Sequence, residues 1–353
     1  MKKSIFIISA ISLLGLSIIW FLSFDKDNTK NGFKRILQGA APQLVSIIDI
    51  PNSEFCFAGE DKNGNTVLFN FKNRNFYKLG PKNITLIELK VSPKFNYKSR
   101  LMYASMGYGA TFLNNNEGDV SVIKDSIINN FNIPSMRYDH PKVISSNSAI
   151  VRSFYTVKGQ RVRTLKKLTL TDTLSSLKSV DLPIQVDGFY CNDGTLHYNK
   201  DLQKLYYLFS YRGEILTLDT SLKMLSTIKT IDTITKSNIK VVSVNINFKG
   251  RFAKKNIQVK QNNIVNALIS TDQKFIYVCS KIKGDNEKYK DSHKNILIDV
   301  YSIKSEKYLY SFYLPKLNRD IIFGFEVKKN NITVITENRI LTYKITKHNQ
   351  EAI

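Results

Sequence analysis

The sequence predicts an all-β fold behind one apolar N-terminal segment, and three observations support that reading. From residue 41 onward, short runs of aromatic and β-branched residues recur with turn residues between them. Helical periodicity is scarce over the same stretch. A single run, close to the N-terminus, reaches the length of a bilayer span.

Composition sets the bounds. The chain has 353 residues, 42% hydrophobic and 23% charged, which is ordinary globular usage and enough apolar material for a sizeable core. Disordered, fibrous and multi-pass membrane classes are excluded. Cys56, Cys191 and Cys279 cannot all pair with one another, so no disulfide framework organises the fold.

Met1-Lys2-Lys3 is followed by Ser4 to Phe24, 21 residues without a charge. At about 1.5 Å per helical residue this run just spans the roughly 30 Å hydrocarbon layer. It stays bulky through Trp20-Phe21-Leu22-Ser23-Phe24, and no cysteine nearby offers an acylation site. The expectation is an uncleaved single-pass anchor with Trp20 near an interface. A signal peptide cleaved around Ser17 to Phe24 is the alternative. Lys2 and Lys3 precede the run, and Asp25-Lys26-Asp27 follows it, so the positive-inside rule places the C-terminal domain outside the cytoplasm. The expected location is a bacterial inner membrane. Residues 25–40 read as a stalk or first edge strand, and 347–353 as a tail.

Strands follow in hairpin rhythm. Phe55 to Gly59 and Thr66 to Phe71 flank Asn63-Gly64, a pair that tolerates positive φ, and Asn75 to Leu79 follows. The rhythm returns at Lys204 to Phe209, Glu214 to Asp219 and Met224 to Ile228. It returns again at Phe275 to Ser280, Ile296 to Ser302 and Tyr308 to Leu314, and closes with Phe325 to Lys328, Ile332 to Thr336 and Ile340 to Ile345. Third-strand segments end near Leu79, Val180 and Ile228, with a weaker candidate between Val120 and Ile128; together these positions are about 50 residues apart, a long pitch for a four-stranded propeller blade. Residues 41–346 number 306, giving 51 per blade for six blades and about 44 for seven. Six is the expectation for this β-propeller, with an insertion between Ile228 and Tyr313. Phe33 to Leu37 or Leu44 to Ile50 would supply the closing strand. A pair of β-sandwiches is the rival architecture.

The blade is clearest at Asp193-Gly194-Thr195-Leu196-His197-Tyr198, then Leu205 to Phe209, Ile215 to Asp219 and Leu225 to Thr230. From about residue 33 to 346 the pattern resembles the six-bladed propellers of bacterial envelopes, of TolB-like and NHL-like architecture. The resemblance implies a fold and a compartment, and it carries no catalytic residues across.

Motifs for chemistry are sparse. The histidines, His140, His197, His293 and His348, show no metal-ligand spacing; His197 falls in a candidate inner strand, where a hydrogen-bonded structural histidine is expected ahead of a channel-facing functional one. Asp61 to Asn65 resembles the start of a calcium loop, but Lys72 stands where the bidentate Glu belongs, so a hairpin turn is expected. Gly107-Tyr108-Gly109 lacks a following helix, and no nucleophile elbow, kinase set or cofactor fingerprint is present. Cys56 and Cys279 read as buried small residues in strands, whereas Cys191, near Asp193, is a candidate thiol.

The net charge of +23 comes from 41 Lys and 11 Arg against 29 acids. Lys158, Arg161, Arg163, Lys166 and Lys167 form one cluster, and Lys249, Arg251, Lys254, Lys255 and Lys260 another. Arg161 and Arg163 are two apart, so in a strand both point to one face. Loops between blades and those joining second to third strands gather at one end of a propeller and hold Lys158, Arg161, Tyr211 and Arg212, which with Arg163 are the candidate binding residues. A place outside the membrane disfavours nucleic acid and favours an envelope protein or an anionic surface as partner. The expected role is a binding or scaffold module without catalysis or cofactor. Two alternatives stand beside it: a hydrolase or lactonase with a channel metal held by Asp187 and Asp193, and a basic receptor for anionic polymer or lipid.

Overall fold

The computed structural model describes all residues except 1, 29, 40, 52–53, 90–100, 116, 134–136, 172, 238, 249–250, 260–262, 318–320 and 346–353. Helix α1 covers Lys2–Asn28. Its described side chains run from Phe6 to Trp20, and apart from a half-buried Gly15 all are exposed. Among the described residues, no helix is long and apolar enough to cross a membrane.

The strands that follow form antiparallel meanders of four. They are β2–β5 (Phe55–Glu60, Thr66–Asn70, Phe76–Leu79, Ile84–Ile87) and β6–β9 (Met102–Gly107, Ala110–Asn115, Asp119–Lys124, Ile127–Asn132). Next come β10–β13 (Asp139–Ser145, Ser148–Val157, Gln160–Thr169, Ser176–Asp181) and β14–β17 (Gly194–Asn199, Lys204–Phe209, Glu214–Asp219, Met224–Lys229). A separate hairpin, β18 (Val241–Phe248) and β19 (Arg251–Gln258), precedes β20–β23 (Asn266–Thr271, Phe275–Ser280, Asn295–Ser302, Tyr308–Pro315). Helix α2 (Tyr289–Lys294) lies between β21 and β22. The last sheet is β24–β26 (Ile322–Lys328, Asn331–Thr336, Arg339–Lys344), completed by β1 (Gln43–Asp49) from the other end of the chain.

That closing pair registers Leu44 on Tyr343 and Asp49 on Arg339. Of the two segments the sequence offers for closure, the one at residues 44–50 therefore takes the edge. The first strands of the sheets contact one another in a ring: β2, β6, β10, β14, β20, β24 and back to β2. A hydrophobic cluster fills each space between neighbouring sheets; Ile48, Phe55, Leu68 and Ile340, for example, join the last sheet to the first. Each sheet is thus buried on both faces. This is why Leu205 to Phe209 and Phe275 to Ser280 are apolar without strict alternation.

The first two sheets are also joined by a parallel pair at Gly59 and Met106. Gly59 adopts φ +127°, and a Cβ there would lie 2.1 Å from the Met106 carbonyl oxygen. No side chain fits that approach.

Residues 30–39 are docked rather than free. Leu37 forms a parallel bridge with Ser311 on β23. Arg35 is buried, donates to Asp299 Oδ1 at 2.7 Å and Ser280 Oγ at 2.9 Å, and pairs with Glu287. Burial opposes its charge, but Asp299 and Glu287 hold its pKa above the ordinary arginine value. The suspected insertion resolves into the β18–β19 hairpin and the α2 connection. The weak 120–128 candidate becomes two strands about a turn at Asp125 and Ser126, both at positive φ.

Candidate functional site

Side chains on a strand alternate faces, so residues two apart on each first strand look into the ring. Together they line a cavity of about 1090 Å³ that includes Cys56, Tyr103, His140, Lys142, His197 and Glu326. Lys142 on β10 and Glu326 on β24 come from opposite sides of the ring, with two first strands between them either way round. Burial pushes the Glu326 carboxyl up to about 7, against the pull of Lys328 and Lys142. Its Oε2 is buried without a hydrogen-bond partner. Burial also lowers the Lys142 pKa, opposed by Glu326.

Burial, then the Lys142 charge, push His197 down to about 3, and its Nε2 lies 3.0 Å from the Thr271 hydroxyl. His197 therefore faces the channel as a neutral, hydrogen-bonded imidazole. Burial raises the Cys56 thiol to about 12, so it is not a poised thiolate.

One mouth of the channel is crossed by polar contacts. Glu60 accepts from Lys200 at 3.2 Å and from Lys328, which lie on different sheets. The Tyr108 and Tyr198 hydroxyls meet at 2.9 Å, and Lys200 Nζ sits 5.0 Å from the centre of the Tyr108 ring.

The residues singled out in the sequence lie at the other end, and they divide into two kinds. Lys158 is exposed in the β11–β12 turn at φ +47°. Arg161 is exposed, with its guanidinium 5.3 Å from the Phe154 ring and 5.2 Å from the Phe189 ring. Tyr211 is half-buried, and burial, then the Asp193 charge, raise its phenol pKa.

Arg163 shares a face of β12 with Arg161, both over the Phe189 ring, but unlike Arg161 it is buried, and Arg212 differs from the surface loop position expected of it. Arg163 is buried over Phe189 at 4.1 Å and lies 3.5 Å from Asp139 and 3.6 Å from Asp193. Arg212 is fully buried, donates to Glu214 at 2.6 Å and to the Cys191 carbonyl at 2.8 Å, and stacks 3.3 Å from the Phe209 ring. Its donors are directed into the protein.

The two candidate metal ligands are also committed. Asp187 accepts the backbone N–H groups of Phe189, Tyr190 and Cys191 at 3.2, 2.8 and 2.8 Å. Asp193 accepts from Arg152 at 2.6 Å. Among the described residues no three His, Cys, Asp or Glu side chains group to hold a metal. Cys191 lies buried in a turn, where its thiol donates to the Asp187 carbonyl at 2.7 Å. Asp61 closes its hairpin turn by accepting from Asn63 and Asn65 at 2.9 and 2.8 Å, as expected of a turn.

The sequence reading missed Lys142 and Glu326. The signal was present: each is a charge set beside apolar strand neighbours, Val143 and Ile144 for Lys142, Phe325 and Val327 for Glu326.

A solved structure from the DUF4221 family of Bacteroides vulgatus superposes with TM-score 0.52 over 90% of this chain and 98% of its own, at 11% identity. The fold is a β-propeller. A catalytically inactive virginiamycin B lyase from Staphylococcus aureus gives TM-score 0.47 at 12% identity, over 85% of this chain and 98% of its own. BamB from Moraxella catarrhalis gives 0.41 at 10% identity, over 91% and 96%. The comparison of fold rests on the first. No protein-family model and no curated protein matches the sequence.

Proposed function

We propose that this propeller, counting each four-stranded sheet as one of six blades, is a binding module held outside a bacterial inner membrane by α1. The anchor rests on the 21 uncharged residues from Ser4 to Phe24 and on the exposed apolar side chains of the helix. One observation carries the binding role: a cavity of about 1090 Å³ holds a buried, unpartnered carboxyl oxygen on Glu326, with Lys142 lining the same cavity. Such groups are costly to leave unmet. A ligand offering a donor to Glu326 and an acceptor to Lys142, as peptides and sugars do, satisfies both.

A second reading is favoured by the same carboxyl. A glutamate that titrates near 7 is suited to general acid–base work, so catalysis in the channel is the alternative to binding alone.

The binding role is tested by affinity capture with the full chain from a detergent-solubilised envelope extract, at low salt and at about 0.5 M, where charge is strongly screened. A partner retained at both salts supports a module that recognises shape and buried polar groups. Loss of everything at high salt replaces it with anionic-surface binding.

A further inference from the structure

The chain leaves α1 at Asn28 and is bonded to the propeller again at Asn31. The Asn31 backbone N–H donates to Asp285 Oδ1 at 2.7 Å, its side chain donates to the Lys283 carbonyl at 2.8 Å, and the Thr233 hydroxyl donates to its carbonyl at 2.6 Å. Asp285 and Lys283 lie in the β21–β22 connection, and Thr233 lies in the crossover after β17. In a meander blade, crossovers and second-to-third-strand connections share one end, so this end of the propeller is where the tether departs.

The tether is short. The three steps from Asn28 to Asn31 reach at most about 10 Å, and the four helical rises from Phe24 to Asn28 add about 6 Å. With Phe24 at the hydrocarbon boundary, the propeller therefore stands within about 16 Å of it, and headgroups occupy about 5–7 Å of that distance. The remaining gap is comparable to the Debye length of about 8 Å.

We propose that the corner formed by these connections docks on the anionic headgroup layer of the membrane that α1 crosses; this rests on the anchor reading above. Lys30, Lys34, Lys236, Lys240, Lys288 and Lys290 are all exposed on the three segments that meet there. Two of the nearby acids are already engaged, Asp285 with Asn31 and Glu287 with Arg35. Val259, Ile264 and Tyr289 add apolar and aromatic surface, 53%, 45% and 38% exposed. Lysines beside exposed apolar and aromatic side chains are the composition that interfacial surfaces use. The arrangement leaves the opposite mouth, crossed by Glu60 and Lys200, facing away from the bilayer.

The test uses the full chain in vesicles of phosphatidylcholine with about 30% phosphatidylglycerol. A fluorophore is placed through Tyr289→Cys at the corner or Leu177→Cys at the other end, in a Cys56→Ala background, and headgroup-attached quencher is added. Quenching several-fold stronger at the corner is expected. The combined Lys236→Glu, Lys240→Glu, Lys288→Glu and Lys290→Glu variant should lose that excess while still floating with alkali-washed vesicles. A floating chain with equal quenching at both ends overturns the docked corner alone. A chain that does not float overturns the anchor and the corner together.

Discussion

Replacing Arg35 should unlock the segment that joins α1 to the propeller. In the Arg35→Ala variant, the carboxylates of Glu287 and Asp299, each with a side chain 1% exposed, lose their common cation. Removing one partner of a buried ion pair costs about 3–5 kcal/mol, because the remaining charge stays uncompensated. Here two carboxylates are stranded, so the upper part of that range applies. Urea unfolding of the full chain in detergent, followed by circular dichroism, measures the loss. Lys34→Ala, at an exposed neighbouring position, should change stability by less than about 0.5 kcal/mol. Hydrogen exchange at Leu37 and Gln38 should rise in the Arg35 variant while β25 stays protected. Adding Glu287→Gln and Asp299→Asn to Arg35→Met should recover part of the loss. A loss below about 1 kcal/mol for Arg35→Ala would refute the view of this cluster as a buried clamp.

Three further outcomes follow from the geometry. Glu326 has its folded pKa raised from 4.5 to about 7, so its contribution favours folding below about 4.5 and is lost as pH rises through 7. Glu326→Gln should therefore gain stability relative to the parent across that window, by at most about 3 kcal/mol, and a flat difference against pH in paired urea titrations would contradict the burial argument. Gly59→Ala places a Cβ against the Met106 carbonyl and should cost at least about 2 kcal/mol, whereas an unshifted melting curve would mean the first two sheets are not held that closely. Asp193→Asn should destabilise the protein by about 1–2 kcal/mol through the Arg152 contact, and millimolar calcium should leave the parent melting temperature unchanged; a calcium-dependent rise abolished by this substitution would restore a metal role.

The architecture was legible because a doubly buried sheet leaves a strong trace. Runs such as Lys204 to Phe209 and Glu214 to Asp219 are apolar enough to be recognised, and Asn63-Gly64 marks its hairpin. The candidate site was less legible. Arg163 and Arg212 look like solvent-facing cations in a chain of net charge +23, yet they are paired from Asp139, Asp193 and Glu214. The partners Asp139 and Asp193 lie 24 and 30 positions from Arg163, a relation that only strand pairing creates. Lys142 and Glu326 are 184 positions apart and line the same channel from opposite sides of the ring, which periodicity cannot show. Arg35, in a segment whose composition suggests a stalk, is buried because its partners come from β22 and the β21–β22 connection.

In the proposed binding role, the propeller channel recognises a ligand through Lys142 and Glu326. Native mass spectrometry of the full chain, purified from its membranes in mild detergent, tests it most directly alongside the Lys142→Met variant. A bound mass is expected on the parent and absent from the variant, whose circular dichroism is unchanged. No bound mass on the parent, or the same mass on both, would contradict it.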